Sequence, residues 1–165
     1  MTETEQKQIF DQWIRGYKNL LFKVLRAYAF NGHDRDDLFQ EISIQLWHSI
    51  PKFRGDSAVP TWIYRVALYS AINWTRREKK HNGDKQSLDG VAHTLTETPQ
   101  SGDGRLDWLY DQIAQLNEID RSLTLLLLDG YSYKEMSAIL GISESNVGVK
   151  INRIKKHLTN KSKEI

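Results

Sequence analysis

The sequence predicts an all-α protein of two helical domains joined by a flexible linker, and three observations predict it. Apolar residues recur at three- and four-residue steps on both sides of the chain's middle. Between those stretches, residues 81–104 lose the helical period and fill with Gly, Asp, Ser, Thr and Gln. Three Pro and ten Gly, mostly clustered, argue against a turn-rich β chain. The segments are a helical bundle over 1–80, an acidic linker over 81–104 and a second helical unit over 105–165.

Taken in order, residues 4–30 read as one amphipathic helix. Ile9, Trp13, Ile14, Tyr17, Leu20, Leu21, Val24, Leu25 and Tyr28 form its apolar stripe. Asn31-Gly32 stops it, since both residues tolerate a left-handed backbone. Asp34 caps the next helix, 35–50, whose inward residues are Leu38, Ile42, Leu46 and Ile50. A loop follows over 51–60, and Thr61 opens a third helix to about Lys80. Past the linker the period resumes at Leu106, Leu109, Tyr110, Ile113 and Leu116. Leu123 to Leu128 is nearly all apolar, which predicts burial on several sides, and Gly130 ends it.

Composition removes whole classes of chemistry. With no cysteine there is no disulfide, thiolate zinc site, iron–sulfur cluster or cysteine nucleophile. No apolar run approaches the ~18 residues that a membrane span needs. The start, MTETEQKQ, lacks the basic and apolar parts of a signal peptide, which predicts a cytoplasmic protein. Nothing calls for a metal, a cofactor or a small-molecule substrate. Asp36, Asp37 and Glu41 share one short helix with no second acidic cluster, so a metal-dependent enzyme is not expected.

The net charge is only +2. Its distribution is uneven: 13 basic and 9 acidic residues over 1–81 (net +4), 1 and 4 over 82–104 (net −3), 9 and 8 over 105–165 (net +1). Within the last span, 149–165 holds six Lys/Arg against one Glu. Two basic blocks around an acidic strip suit two polyanion-facing surfaces, although charge alone favours plain solvated faces.

Residues 132–158 are the most informative. Ser132 and Glu135 have the spacing of a capping box. Met136, Ile139 and Leu140 give a short helix its buried face, Gly141 supplies a tight turn, and Ser143 caps a second helix. Val147, Ile151, Ile154 and Leu158 form the inward stripe of that helix. This is the pattern of a helix-turn-helix, whose second helix enters the major groove, and it fits that better than the plain αα-hairpin of a helical bundle. Ser145, Val149, Asn152, Arg153 and Lys156 then point outward, with Asn146 at the flank. Asn pairs with adenine, Arg with guanine, and Val or Ser touches a thymine methyl. Lys150, Lys155 and Lys161 suit phosphates.

Residues 53–77 interleave Arg54, Arg65, Arg76 and Arg77 with Trp62, Tyr64, Tyr69 and Trp74. Rings that stack on unpaired bases and guanidinium groups that follow phosphates suit single-stranded DNA. A Trp-rich core with an Arg rim fits the same residues, and fits them slightly better on pattern alone. On the helix before, Asp36, Asp37, Gln40, Glu41, Gln45 and His48 make a polar side, and periodicity does not decide between a solvated and a docking face.

The stretch DRDDLFQEISIQLWHSIPKFRGDSAVPTWIYRVALYSAINWTRR resembles region two of extracytoplasmic-function (group four) sigma factors of RNA polymerase. The resemblance rests on Asp37-Leu38, Gln40-Glu41, Leu46-Trp47, Phe53-Arg54-Gly55, Thr61-Trp62, Tyr64-Arg65, Ala67 and Arg76-Arg77. The last third resembles region four through Ser132, Glu135, the Leu140-Gly141-Ile142-Ser143 run, Val147 and Arg153. Together these span almost the whole chain, in the order of that class.

The resemblance implies binding to core RNA polymerase through Asp37, Leu38, Gln40, Glu41, Gln45 and Trp47 against the β′ coiled coil. It implies capture of the unpaired minus-ten strand by Phe53, Arg54, Gly55, Asp56, Ser57, Thr61, Trp62, Arg65, Tyr69, Asn73, Arg76 and Arg77. It implies reading of the minus-thirty-five element by Ser143, Ser145, Asn146, Gly148, Val149, Lys150, Asn152, Arg153 and Lys156, with the second unit on the β flap. The acidic linker would thread toward the catalytic channel. An anti-sigma factor, often membrane-bound in such proteins, is an expected partner and would hold the protein at the inner membrane. Tyr69, Asn73, Asn146, Gly148 and Asn117-Glu118 depart from the family's usual residues, which bears on promoter sequence more than on function. The rival is a stand-alone helix-turn-helix regulator, distinguished by tight promoter binding without polymerase.

Overall fold

The computed structural model describes residues 1–83 and 103–164. The chain divides into two compact units, one on either side of residues 99 and 100. All regular structure among the described residues is helical, and none of these helices is long and apolar enough to cross a membrane. Of the linker expected over 81–104, residues 81–83 end a helix and Gly104 begins one, while 84–102 lie outside the described residues.

The first unit opens with α1, Glu3–Gly16, and α2, Lys18–Tyr28. Thr2 caps α1 in a box with Glu5: each backbone N–H donates to the other's side chain at 3.1 Å. The spacing predicts one helix over 4–30, and the structure has two. Tyr17 leaves the helical region (φ −118°, ψ 31°) directly after Gly16. The ladder still crosses the break, with the Tyr17 N–H on Trp13 O and the Leu21 N–H on Tyr17 O, so the bend is local. Gly16 has a poor helix propensity, which lowers the cost of bending here.

A second difference concerns the next cap. Ala29 ends α2 in an extended conformation, and neither Asn31 nor Gly32 is left-handed. Asn31, not Asp34, caps α3, Gly32–Ser49. Asn31 Oδ1 accepts from the Asp34 N–H at 2.8 Å, and Asn31 Nδ2 donates to Asp34 Oδ2 at 3.0 Å. An Asn at this place can do both jobs, which an Asp cannot.

Leu38, Ile42 and Leu46, four apart on α3, are each fully buried. They face α4, Val59–Gly83, which starts before Thr61 and runs past Lys80. Ile63, Ala67, Leu68 and Ala71 of α4 are also fully buried. Burying each Leu or Ile contributes roughly 1.5–3 kcal/mol, and the two alanines, one turn apart, present little bulk to a neighbouring helix. A short 3-10 turn, Ile50–Lys52, and residues 53–58 connect α3 to α4. Gly55 takes φ +79° in that connection, a conformation other residues rarely adopt.

The second unit holds α5 (Gly104–Ala114), α6 (Glu118–Leu128), α7 (Tyr133–Leu140) and α8 (Glu144–Ser162). Asp103 caps α5 and Asn117 caps α6 through side-chain acceptors. Arg121 is buried and turns back on the end of α5, donating Nε to Leu116 O at 2.8 Å and Nη2 to Ala114 O at 2.9 Å. A guanidinium is well placed there, because the last carbonyls of a helix are unpaired and carry partial negative charge. Burial of the apolar run is incomplete. Leu123, Leu125 and Leu126 are core, but Leu127 is half-buried and Leu128 is 54% exposed.

Candidate nucleic-acid interface

In the first unit four of the expected DNA-facing residues line a groove between α3 and α4. Trp62, Arg65, Tyr69 and Asn73 form one wall, and Glu41, Gln45 and His48 the other, around about 420 Å³. Trp62 is half-buried, with its Nε1 donating to Ser49 Oγ at 3.2 Å. Ser49 in turn donates to Leu46 O at 2.8 Å, so the indole is tied to the end of α3. The Arg65 guanidinium lies 5.7 Å from the Tyr69 ring centre, a cation–π distance. An aromatic face and a cation therefore open into one groove, which suits a stacked base and its phosphate.

The connection before α4 is held from beneath. Phe53 sits between Trp13 and Trp62, with ring centres at 5.6 and 5.3 Å. It is half-buried and acts as a support, while Arg54, Gly55 and Asp56 beyond it are exposed. Ser57 and Thr61 are half-buried and Arg76 is exposed. Arg77 pairs with Glu41 at 3.3 Å, which joins a residue expected on DNA to one expected on polymerase.

Two of the four interleaved aromatics are core residues, against the reading of 53–77 as an exposed aromatic strip. Tyr64 is 1% exposed and Trp74 6%. Trp74 Nε1 donates to Asp37 Oδ2 at 2.9 Å, so Asp37 is a cross-helix partner as well as a surface residue. Leu38, expected among the polymerase contacts, has no exposed surface and supports the helix from inside. Gln40 and Gln45 are exposed; Trp47 is half-buried against the edge of Phe10 at 5.6 Å. Lys52 was not singled out from sequence, yet it lines the groove. Its only signal is its place in the turn between two helices that share a face.

In the second unit α7 and α8 make the expected helix-turn-helix. The Ser132 hydroxyl accepts from the Glu135 N–H at 3.1 Å, and Glu135 Oε1 accepts from the Ser132 N–H at 2.9 Å. The Ser132 N–H first, and its hydroxyl second, hold the exposed Glu135 carboxyl below the usual carboxylate range. Gly141 takes φ +69° and turns the chain, and its N–H bonds Ser137 O. Ser143 caps α8 by accepting from the Asn146 N–H at 3.0 Å.

Val147, Ile151 and Ile154 anchor α8 in the core. Ser145, Asn146, Val149, Asn152, Arg153 and Lys156 are exposed, and Gly148 and Lys150 are half-buried. Val149 is 64% exposed, an apolar side chain left open among polar ones, as a methyl-reading contact requires. Arg153 Nη2 lies 3.3 Å from Asp120 Oδ2 on α6, a partner that no periodicity indicates.

Among known proteins, the model of Sigma-70 region 2 matches residues 13–81, and that of Sigma-70, region 4 matches residues 106–158. RNA polymerase sigma factor YlaC of Bacillus subtilis is 31% identical over 137 residues, covering 78% of this chain and 79% of that protein. The ECF RNA polymerase sigma-E factor of Haemophilus influenzae is 28% identical over 167 residues, covering 94% and 88%. Two solved structures share the fold at 19% identity. One is CnrH in complex with the cytosolic domain of CnrY (TM-score 0.66, 96% of this chain, 90% of that one). The other is the sigma factor RpoE in complex with the anti-sigma factor NepR from Bartonella quintana (TM-score 0.64, 89% and 96%).

Proposed function

The chain belongs to the extracytoplasmic-function class of RNA polymerase sigma factors, and on that footing we propose how its two units divide the work of initiation. The first unit binds core polymerase through α3, with Asp37, Gln40, Glu41 and Gln45 against the β′ coiled coil. Its α3–α4 groove captures the unpaired minus-ten strand: Trp62 and Tyr69 stack, Arg65 and Arg76 hold phosphates, and Arg54, Gly55 and Asp56 border the captured base. The second unit rests on the β flap and lays α8 along the minus-thirty-five duplex. The protein catalyses no reaction itself. It works in the cytoplasm, and an anti-sigma factor holds it inactive at the inner membrane until a signal releases it.

The observation that carries this reading is the open groove of Trp62, Arg65, Tyr69 and Asn73, in one chain with a capped helix-turn-helix. Each site alone makes few contacts. Mounted together on polymerase they act at high effective concentration, so a net charge of only +2 is enough. Stacking of extruded bases offsets part of the cost of unpairing, a few kcal/mol.

The test is transcription in vitro by core polymerase with the purified chain on a library of genomic fragments. Specific starts with a shared two-part promoter are the expected result, and permanganate footprinting should show opening lost in Trp62→Ala with duplex binding retained. Tight promoter binding without polymerase, or no specific initiation by the folded and inhibitor-free chain, overturns the reading.

A further inference from the structure

Resting on the reading that α8 meets promoter duplex, we propose that Asp120 is a positioning residue: its buried carboxylate fixes the Arg153 guanidinium so that the free edge is presented to DNA. Asp120 is the third residue of α6, and its side chain is 7% exposed. Its place is set by α6 before Arg153 is involved. The Asp120 N–H donates to Asn117 Oδ1 at 2.9 Å, and Asn117 Nδ2 donates to Asp120 Oδ2 at 3.1 Å. The Thr124 hydroxyl donates to Asp120 O at 2.7 Å. Onto that same Oδ2 comes Arg153 Nη2 at 3.3 Å, from a residue 33 positions away.

The two partners are unlike in a way that suits this role. The Arg153 side chain is 60% exposed, and one of its five N–H donors is used by Asp120. The remaining donors are available at the surface. A free surface arginine gives up much rotamer freedom when it binds, and prior fixation removes that loss. On the wheel Arg153 lies at the edge of the outward row of Ser145, Val149, Asn152 and Lys156, on the flank that Asn146 and Lys150 share. The pairing with α6 keeps the guanidinium at that flank.

Stability is a poor explanation for Asp120. Its Oδ1 is buried without a hydrogen-bond partner, and a half-satisfied buried carboxylate is costly. The positive end of α6 offsets part of that cost. Asn117 would cap α6 without it, because the cap needs only the residue-120 N–H. Beside its bond to Asn117, the charged group this carboxylate meets is Arg153.

The experiment uses the full chain assembled with core polymerase. Wild-type holoenzyme first selects from duplexes randomised across the minus-thirty-five window, and the most enriched duplex becomes the probe. Asp120→Asn keeps shape and an acceptor but loses the charge; it is compared with Arg153→Ala and with the double variant. Arg153→Ala should weaken probe binding by about tenfold or more. Asp120→Asn should weaken it by about fivefold, and this loss should vanish in the Arg153→Ala background. A merely structural Asp120 would lower the thermal midpoint and cause the same binding loss in both backgrounds, which overturns the proposal. Unchanged binding by Asp120→Asn while Arg153→Ala is weakened overturns it too, and leaves the DNA reading of α8 standing. A selection that converges on no sequence sinks that reading itself.

Discussion

At the residue scale, Gly148 is the position where local propensity and the fold disagree. Gly weakens a helix interior by about 1 kcal/mol relative to Ala, and Gly148 sits in the second turn of α8. Its backbone is not left-handed, so no conformation demands glycine. A Cβ there would meet the Tyr133 ring at 3.7 Å, an ordinary contact. Gly148→Ala should therefore stabilise the second unit by about 0.5–1 kcal/mol, raising its thermal midpoint by several degrees. A calorimetric scan in which the midpoint stays or falls would show that Tyr133 needs the space. Single residues were legible where a local rule fixes them: Ser132 with Glu135, Gly141 and Ser143 all do what their spacing predicts. They were not legible where the partner is distant in sequence, as with Trp74 on Asp37 or Arg153 on Asp120. The cap on α3 falls between these cases. Asn31 and Asp34 both suit a cap, and only the geometry shows that Asn31 holds the end while Asp34 returns the bond.

At the scale of elements, apolar spacing located the helical stretches of the described units but not every boundary, and it ran α1 and α2 together. The stripe from Ile9 to Tyr28 runs on without a gap, so it could not reveal the bend at Tyr17. That bend follows from packing: α1 lies on α3 and the 3-10 turn, whereas α2 lies on α4 as well. The same limit explains why spacing alone could not sort the aromatics of α4 into core and groove. Two sides of this helix are covered, so Tyr64 and Trp74 are core while Trp62 and Tyr69 stay half open. Trp74 then clamps α4 to α3 by shape and by one hydrogen bond. Trp74→Phe removes the donor and part of the ring, and should cost about 1–3 kcal/mol. Asp37→Asn keeps an acceptor and should cost less. Urea unfolding measures both, and equal losses would show that the charge on Asp37, not the indole packing, holds the helices together.

For the whole molecule, the two units raise a question of independence. Each has its own buried core. Leu38, Ile42, Leu46, Ile63 and Leu68 serve the first; Ile113, Leu123, Leu126, Met136, Val147 and Ile151 serve the second. Each helix of both units that begins with a side-chain cap finds its capping partner within a few residues. Residues 1–83 and 103–164 made as separate polypeptides should therefore both be helical and both melt cooperatively, by circular dichroism. The second should be the weaker, because a unit of about 60 residues buries a smaller share of its surface than a larger one. Its stability also leans on polar devices, the Asn117 and Ser132 caps and the Arg121 bonds to the end of α5. If the proposed division of work is right, a mixture of the two folded pieces should support far less promoter-specific initiation than the intact chain. Joining them makes the second contact intramolecular, which raises its effective concentration. Fragments that stay unfolded alone would refute independence. Folded fragments that restore full initiation when mixed at micromolar levels would show that polymerase, and not the covalent link, brings the two DNA contacts together.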